Sequence, residues 1–496
     1  MFKNIVGTHK PDILDCISNL SSDEVFTPPV IVNKVLDLLP ESIWQNQNLK
    51  FLDPCCKSGA FLREVAKRLM VGLAESIEDE DKRRKHIFSE MLFGFSITEL
   101  TGEISRRSLY YSKDASGEHS IFKFKTSQGN IIYKRGEHRY INSRCSVCGA
   151  TKDVHDRGSH LENYAYQFIH DQEITNMKFD VIIGNPPYQL KDAGESSGAS
   201  PIYQHFISQA KMLNPRYISM IIPSRWFAGG KGLDSFREEM LKDKRISYLV
   251  DYHDASDCFP GIDLKGGVCY FLWDSKYNGP CEVTPVLNGE KLDSAKRNID
   301  SYDVFIRFNQ GVSILEKVKT KKEKSISLQI SSRKPFGLPT NFKSYKKEKF
   351  DAGIQLYANN EIGWVHKKEI LLNDQWVNKY KVFLSKAYGA GEGWPHQIIG
   401  QPIVSDKNSC CTETYIICGV YDDISLAKNL ETYMKTKFFR FMVSLRKITQ
   451  DNPKDRFEFV PMLDMKKTWT DEQLYKRYEL EDSEVDFIEK MIKEMV

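Results

Sequence analysis

The chain has 496 residues, 41% of them hydrophobic and 28% charged, a composition typical of a water-soluble protein with two or three hydrophobic cores. A formal net charge of +3 does not by itself indicate a polyanionic partner. No apolar run approaches the roughly 20 residues that cross a bilayer, and the N-terminus lacks the apolar core of a signal peptide. The 11 cysteines show no disulfide-framework spacing. We therefore expect a cytoplasmic protein in a reducing compartment, without a membrane partner.

The first periodic elements predict a nucleotide-binding unit. Thr27 and Pro28 fit the N-cap and the first position of a helix, after which apolar residues recur at helical spacing. A short buried strand over 49–52 ends at Asp53, and a turn through Gly59 leads into a second helix. Strand, small-residue loop and helix in this order are typical of a doubly wound α/β sheet.

The alternation of strands and helices then stops and later resumes. A strand over 91–95 precedes Glu99 and a helix, and residues 111–163 are polar and irregular, as in an insertion. The sheet pattern returns with a strand over 179–184, a Gly- and Ser-rich loop over 191–200, a helix near 203–213, a strand over 217–222 and a hairpin around 263–273. From about residue 306, short strands with aromatic and Gly-rich turns, followed by a helix over 426–445, indicate a second domain.

The strongest chemical signal is Asn185-Pro186-Pro187-Tyr188, directly after an apolar strand. The two prolines fix φ and lack N–H groups, so the turn is stiff and its carbonyl oxygens can face a ligand. The Asn185 oxygen and the Pro186 carbonyl can accept the two exocyclic hydrogens of a flipped adenine, while Tyr188 stacks on its face. This pattern indicates amino-group methylation; the alternative is a proline-stiffened loop.

The loop after the first strand is suited to a cofactor. Small residues at Ser58, Gly59 and Ala60 let backbone N–H groups approach a ligand at the carboxyl end of the strand. Asp53 can hold the cationic amino group of the methionine part of S-adenosylmethionine. Taken alone, the loop is equally consistent with an ordinary strand-to-helix turn.

Together the two motifs resemble the S-adenosylmethionine-dependent DNA N6-adenine methyltransferases of the γ type, the TaqI-like group, and in particular the methylases of restriction-modification systems. The resemblance has recognisable motifs over about residues 21–285. It implies an α/β fold: a class I methyltransferase doubly wound, mostly parallel sheet with an inserted segment, and a C-terminal mixed α+β target-recognition domain. The implied partners are double-stranded DNA and a restriction endonuclease or helicase subunit, in the bacterial cytoplasm and on the nucleoid.

The resemblance also assigns cofactor contacts by position. Thr27 and Pro28 match the motif that meets the methionine end of the cofactor. Residues 53–61 match the cofactor loop, in which the assigned contacts are Asp53, Pro54, Ser58, Gly59 and Phe61. The family usually has Gly at the place of Lys57, so this lysine either points to solvent or narrows the pocket.

The remaining cofactor contacts are two carboxylates. Glu99 is assigned to the ribose hydroxyls, although Ser96 stands at the closest aligned position and Glu99 is equally consistent with a surface carboxylate at a helix start. Asp171, fourteen residues before Asn185, resembles the acid that accepts from the adenine amino group of the cofactor. Trp226 or Phe227 could cover the other face of the target base, with core packing as the alternative.

The inserted segment contains the first half of a zinc-ribbon spacing. Cys145 and Cys148 are separated by two residues and are followed by His155 and His160. These four side chains predict a structural zinc site, and the alternative is a pair of thiols without a metal.

The C-terminal half carries clustered positive charge. Residues 307–349 hold twelve Lys or Arg against three Glu, which suits a polyanion or, equally, a solvated linker. A second basic run over 435–447 adds phosphate partners, on a helix whose apolar residues are scaffold and whose charges face outward. The predicted domains are an N-terminal lead (1–20), the methyltransferase domain (21–290, insertion 111–163), the target-recognition domain (291–465) and a helical tail (466–496).

Two alternatives to a DNA adenine methyltransferase remain. The same Asn-Pro-Pro-Tyr motif occurs in enzymes that methylate RNA or a protein glutamine. Lys57 and the missing acid at the end of the second strand are also consistent with a degenerate, non-catalytic DNA-binding subunit. Cofactor binding by the isolated protein distinguishes the last possibility.

Overall fold

The computed structural model describes residues 26–155, 165–190, 200–262, 264–359, 361–389, 393–447 and 450–495. The predicted N-terminal lead lies outside these ranges. The chain divides into two compact units between Asp303 and Val304. This boundary lies later than the predicted one at 290/291, because the strand Ala295–Arg297 pairs with the main sheet of the first unit. Among the described residues, no helix has the length and apolar character needed to cross a membrane.

The helices of the first unit are α1 (Pro29–Leu36), α2 (Ala60–Gly72), α3 (Glu80–His86), α4 (Glu99–Tyr110), α5 (Lys152–His155), α6 (Gln167–His170), α7 (Tyr203–Met212) and α8 (Asp234–Lys242). Its strands are β1 (Phe51–Cys56), β2 (Leu92–Ser96), β3 (Ile131–Ile132), β4 (Tyr140–Ile141), β5 (Arg144–Cys145), β6 (Val181–Gly184), β7 (Gln189–Leu190), β8 (Ser200–Pro201), β9 (Tyr217–Pro223), β10 (Ile246–Tyr252), β11 (Val268–Asp274), β12 (Cys281–Leu287), β13 (Glu290–Lys291) and β14 (Ala295–Arg297).

The main sheet has the order β3-β2-β1-β6-β9-β11-β10-β12-β13, with β14 beside β12. Strands β3, β2, β1, β6 and β9 are parallel neighbours, and β11 runs antiparallel between β9 and β10. This is the predicted doubly wound, mostly parallel class I methyltransferase sheet. The β1 residues are all buried, as expected for a parallel strand covered by helices on both faces.

One local prediction within this unit is wrong, and a second is incomplete. The hairpin expected around 263–273 does not form at these positions, because Val268–Asp274 is one continuous strand, β11, whose antiparallel partners are β10 and β9. The predicted insertion 111–163 is not wholly outside the sheet, since β3 lies within it and pairs with β2. Helical spacing or strand alternation cannot reveal a strand of two residues in a polar segment.

The helices that follow β1 and β2 each begin at a residue suited to a helix start. Gly59 precedes α2 with φ +75°, and a Cβ there would lie 3.1 Å from the Ser105 backbone, so this position requires glycine. Thr98 precedes α4, and its side chain accepts from the Thr101 backbone N–H at 3.2 Å. Both helices therefore begin at the carboxyl edge of the sheet.

The second unit is mixed α+β. Its helices are α9 (Asn309–Thr320), α10 (Ile424–Lys435), α11 (Lys437–Ser444), α12 (Asp471–Arg477) and α13 (Asp482–Met491). Its strands are β15 (Ile354–Tyr357), β16 (Ile362–Val365), β17 (Tyr380–Ser385), β18 (Ile403–Ser405), β19 (Ser409–Cys411) and β20 (Tyr415–Tyr421). They form two three-stranded sheets, β16-β15-β19 and β18-β17-β20.

Two features of this unit correct the sequence predictions. The single helix predicted over 426–445 is two helices, because Thr436 has extended ψ and its side chain accepts from the Phe439 N–H that begins α11. The predicted tail 466–496 is part of the unit. Asp471 at the start of α12 accepts from the backbone N–H groups of Lys437 and Phe438, and thereby caps α11.

The second basic run is also structural rather than outward-facing. Arg440 is fully buried and donates to the carbonyls of Lys435, Thr436 and Lys493. Lys447 donates to the Tyr388 carbonyl at 2.7 Å. Phosphate contacts by these two side chains would leave buried carbonyls without their donors, so the prediction that they bind DNA is wrong.

Candidate active site

A small cavity at the carboxyl end of β1 brings together motifs that are far apart in the chain. Such an edge of an open α/β sheet is where ligands bind. Its lining comes from three motifs: the one assigned to the methionine end of the cofactor, the predicted cofactor loop and the Asn-Pro-Pro-Tyr turn. The lining residues are Thr27, Asp53, Cys55, Lys57, Ser58, Gly59, Ala60, Phe61 and Asn185. Of the other predicted residues, Pro28 and Pro54 do not line this cavity.

The Asn185 side chain is held by Thr27. Its Nδ2 donates to Thr27 Oγ1 at 3.0 Å, and both residues are buried. Because the amide nitrogen is directed at Thr27, the Oδ1 atom is turned away from it. None of the described residues donates a hydrogen bond to the Pro186 carbonyl. The roles of the Asn185 oxygen and the Pro186 carbonyl as acceptors for a target base stay predictions.

The carboxyl group of Asp53 is buried. It is 3% exposed, and burial raises the pKa of its carboxyl to about 6. Its Oδ1 accepts from the Cys55 backbone N–H at 3.1 Å. A Cβ at Gly184, whose φ is +151°, would lie 2.8 Å from the same oxygen. Glycine at the end of β6 thus lets the turn before Asn185 approach Asp53.

Lys57 lies in the cavity wall. It is only 6% exposed, and its positive charge lowers the pKa of the Asp53 carboxyl, opposing the larger effect of burial. Of the two orientations left open by the sequence, the buried one is observed. The side chain narrows the pocket.

The three aromatic residues assigned to the target base, Tyr188, Trp226 and Phe227, are all buried. Tyr188 is 7% exposed and belongs to the main hydrophobic cluster, and burial raises the pKa of its phenol. Its backbone carbonyl accepts from the Ile202 N–H at 3.2 Å. Trp226 and Phe227 are fully buried, with ring centroids 4.6 Å apart, as in the core-packing alternative.

The two carboxylates assigned to the adenosine part lie outside the cavity lining. Glu99 is exposed at the first position of α4. Asp171 accepts from the Glu173 N–H at 3.0 Å and pairs with Lys134 at 2.9 Å, and the Lys134 hydrogen bond lowers its pKa. Ser96 ends β2 with a buried Oγ that has no hydrogen-bond partner among the described residues. Its position at the end of the second strand, where the family has its ribose-binding acid, is the sequence feature that pointed to Ser96.

The comparisons with known proteins decide the family. Residues 90–259 match the Eco57I restriction-modification methylase family. A Mycoplasma pneumoniae protein named "Uncharacterized adenine-specific methylase" is 38% identical over 325 residues, which are 58% of this chain and 77% of that protein. The chain belongs to the adenine-specific methylases of restriction-modification systems. As a member of this family it is a DNA adenine methyltransferase that uses S-adenosylmethionine.

Solved structures similar to this methylase include larger restriction-modification enzymes. MmeI in complex with DNA is 13% identical with a TM-score of 0.49, over 88% of this chain and 66% of the MmeI chain. A nuclease-deletion mutant of LlaGI bound to a DNA substrate mimic is 12% identical with a TM-score of 0.48, over 88% of this chain and 46% of that chain. The methylase thus spans just under two thirds of MmeI and about half of LlaGI.

The methylase also has a cluster of four potential metal ligands, three of which lie in its inserted segment. The thiols of Cys145 and Cys148 meet the rings of His138 and His170, with the ligand atoms all within 4.8 Å of one another. The predicted histidines differ: the structure describes neither the side chain of His155 nor residue His160. His138 precedes Cys145, whereas both predicted histidines follow Cys148, and His170 lies further along the chain than either of them. A search for histidines on both sides of the cysteine pair would have found them.

Proposed function

We propose that this methylase transfers the methyl group of S-adenosylmethionine to N6 of an adenine rotated out of double-stranded DNA, at a specific target sequence. The observation that carries the proposal is the hydrogen bond from Asn185 Nδ2 to Thr27 Oγ1. The bond joins the residue that we assign to the target base with the motif that we assign to the cofactor, and both residues line the same cavity as Asp53.

The residues of the turn would activate a poor nucleophile. The lone pair of the adenine amino nitrogen is delocalised into the ring. Asn185 Oδ1 and the Pro186 carbonyl accept its two hydrogens and favour the pyramidal nitrogen of the transition state, so they stabilise that state more than the ground state. Well-oriented reactants can gain on the order of 7–11 kcal/mol, so positioning supplies much of the acceleration.

S-adenosylmethionine, when bound, supplies a methyl group already activated by its sulfonium, so this chemistry needs neither a protein nucleophile nor a metal. The residues present fit this cofactor. Asp53 is buried, and its carboxylate gains from a cationic amino group, while the Gly59 loop brings backbone N–H groups to the pocket. We assign Glu99 to the ribose, with Ser96 as the buried alternative, and Asp171 to the adenine of the cofactor. The zinc predicted from the sequence would be structural.

We assign target recognition to the second unit. Its segment 307–349 has nine more positive than negative charges, but at least five of them have carboxylate partners within the unit. The exposed remainder, which includes Lys343 and Lys346, would contact phosphates. We propose a restriction endonuclease or helicase subunit as the protein partner.

The test uses the purified chain, labelled S-adenosylmethionine and mixed duplexes, followed by nucleoside analysis. We expect label in N6-methyladenine, and sequencing of genomic DNA with and without the gene would then give the target. Label only in RNA or in protein glutamine would overturn the proposal in favour of the alternative enzymes. Absence of both cofactor binding and transfer would support the degenerate DNA-binding subunit.

A further inference from the structure

Four side chains from three places in the first unit meet at one point. His138 precedes β4, Cys145 ends β5, Cys148 lies in the following turn, and His170 ends α6. Cys145, Cys148 and His170 are buried, and both cysteines are free thiols. Two sulfurs and two imidazole nitrogens are the ligand set of structural zinc sites.

The distances agree with one shared ion. A tetrahedral Zn²⁺ with Zn–S of about 2.3 Å and Zn–N of about 2.0–2.1 Å holds a sulfur and a nitrogen about 3.6 Å apart. The two measured pairs, Cys145 Sγ to His170 Nε2 and Cys148 Sγ to His138 Nδ1, are each 3.6 Å apart. Two independent thiol–imidazole hydrogen bonds would not require all four atoms to converge within 4.8 Å.

The surroundings also orient the ligands. His170 Nδ1 lies 3.0 Å from the Tyr166 carbonyl, so this nitrogen carries the proton and Nε2 is left for the metal. The Val147 N–H points at Cys145 Sγ over 3.5 Å and helps to orient this sulfur. Gly149, with φ +75°, completes the turn after the second cysteine.

We infer that His138, Cys145, Cys148 and His170 bind a structural Zn²⁺ that fastens the inserted segment to α6. Zinc is preferred over harder cations because two thiolates and two imidazoles suit Zn²⁺ and are poor ligands for Mg²⁺ or Ca²⁺. The metal joins segments 32 positions apart at their outer ligands. It takes no part in methyl transfer.

The metal ligand His170 lies next to a residue that we assign to the cofactor. His170 is followed by Asp171, and Lys134 of the inserted segment pairs with that carboxylate at 2.9 Å. Phe168 of α6 packs against Phe95 of β2, with centroids 6.2 Å apart. If Asp171 contacts the cofactor, as the proposed function holds, zinc positions that contact, and removal of the metal weakens cofactor binding.

The first test is metal content of the full chain. We expect about one zinc per chain, as one tetrahedral site requires, and its absence in Cys145→Ala, Cys148→Ala, His138→Ala and His170→Ala. Cys281→Ala is the matched cysteine control, and His155→Ala and His119→Ala are the histidine controls; all three should retain zinc. Absence of zinc in His155→Ala with retention in His138→Ala, or a wild-type content equal to that of Cys145→Ala, would overturn the assignment.

A second measurement avoids variants that fail to fold. Cobalt exchanged into the wild-type chain should show the absorption of a tetrahedral thiolate site, and an octahedral spectrum without thiolate bands would contradict it. Chelation should then weaken S-adenosylmethionine binding about tenfold, and added zinc should restore it. Metal content and the cobalt spectrum do not depend on methyl transfer. These two measurements therefore test the zinc site independently of the proposed function.

Discussion

Thr27 Oγ1 accepts a hydrogen bond from Asn185 Nδ2 at 3.0 Å, across 158 positions of sequence. The bond joins the motif assigned to the methionine end of the cofactor to the motif assigned to the target base. Because an amide can rotate by half a turn, a fixed partner for its nitrogen decides which way its oxygen points. The orientation of the proposed acceptor is therefore set by the cofactor motif.

Replacing Thr27 by Val should lower kcat while changing the Kd for S-adenosylmethionine less. Val keeps the shape but removes the acceptor, so a buried amide loses its partner, at a cost of about 1–3 kcal/mol. We expect a fall in kcat of at least about tenfold, measured with saturating cofactor. Thr27→Ser retains the hydroxyl and should keep most of the rate; an equal decrease in both variants would contradict the orienting role.

Replacing Asn185 by Ala should abolish methyl transfer and leave duplex binding intact. Removal of one preorganised group at a transition state typically lowers kcat by about 10²–10³-fold. Single-turnover transfer and a filter-binding titration on the same duplex measure the two effects. Gln189→Ala, at an exposed position just after the motif, is the control. A parallel decrease of both properties in Asn185→Ala would assign this residue to folding or DNA binding instead.

Asp53 should make cofactor affinity depend on pH. Burial raises the pKa of its carboxyl to about 6, so the negative charge that we propose binds the cofactor's ammonium is present above this pH and absent below it. We expect the affinity for S-adenosylmethionine to fall as pH decreases from 7.5 to 5, measured by calorimetry. Asp53→Asn should bind weakly at every pH; a wild-type-like pH profile in this variant would exclude Asp53 as the cause.

The same carboxyl should destabilise the cofactor-free protein at neutral pH. A folded-state pKa of about 6 against 3.8 means that the folded chain binds the proton more tightly, so the free energy of unfolding decreases as pH rises between those values. The shift corresponds to roughly 3 kcal/mol. Asp53→Asn should therefore unfold at higher denaturant concentration than wild type at pH 7.5, with the difference vanishing near pH 4.

The parts of the fold with strong local signals could be predicted from the sequence. Strands β1 and β6 are buried on both faces, so their apolar runs stand out, and Gly59 marks the turn that follows. Strand β3 has two residues, and its pairing with β2 depends on the rest of the sheet. It was therefore missed.

The candidate site shows the same division. The Asn185 turn and the Asp53 loop are contiguous motifs and were found, and their placement in one cavity follows from the parallel sheet. The histidines His138 and His170 converge with the cysteines only in the folded chain, so a spacing rule that considers the residues after Cys148 selected His155 and His160 instead. Likewise, charge density could not show that Arg440 points inward.

Replacing Lys57 by Gly should tighten S-adenosylmethionine binding. The lysine is buried in the cavity wall, and its charge acts on the Asp53 carboxyl, where the ammonium of the cofactor would sit. We expect a several-fold lower Kd by calorimetry. Lys57→Met keeps the length without the charge, so a gain in both variants assigns the effect to charge and a gain in Gly alone to space. Weaker binding in both would instead make Lys57 part of the cofactor site.

The two basic regions of the second unit should respond differently to substitution. Lys343 and Lys346 are exposed, so their replacement by Ala should weaken DNA binding and reduce the slope of log K against log salt by about 0.9 for each phosphate that is no longer neutralised. Arg440 is buried and donates to the carbonyls of Lys435, at the end of α10, and of Lys493. Arg440→Ala should therefore lower the free energy of unfolding by about 1–3 kcal/mol for each buried carbonyl that loses its donor.

Lys317→Ala is the matched control for charge, because Lys317 pairs with Glu481 and Glu484 within the unit. Its removal should leave the salt slope unchanged. Salt titrations of duplex binding and urea unfolding of the same preparations separate the two effects. A salt slope altered by Lys317→Ala but not by Lys343→Ala would place the DNA-binding surface on α9 rather than on the segment that follows it.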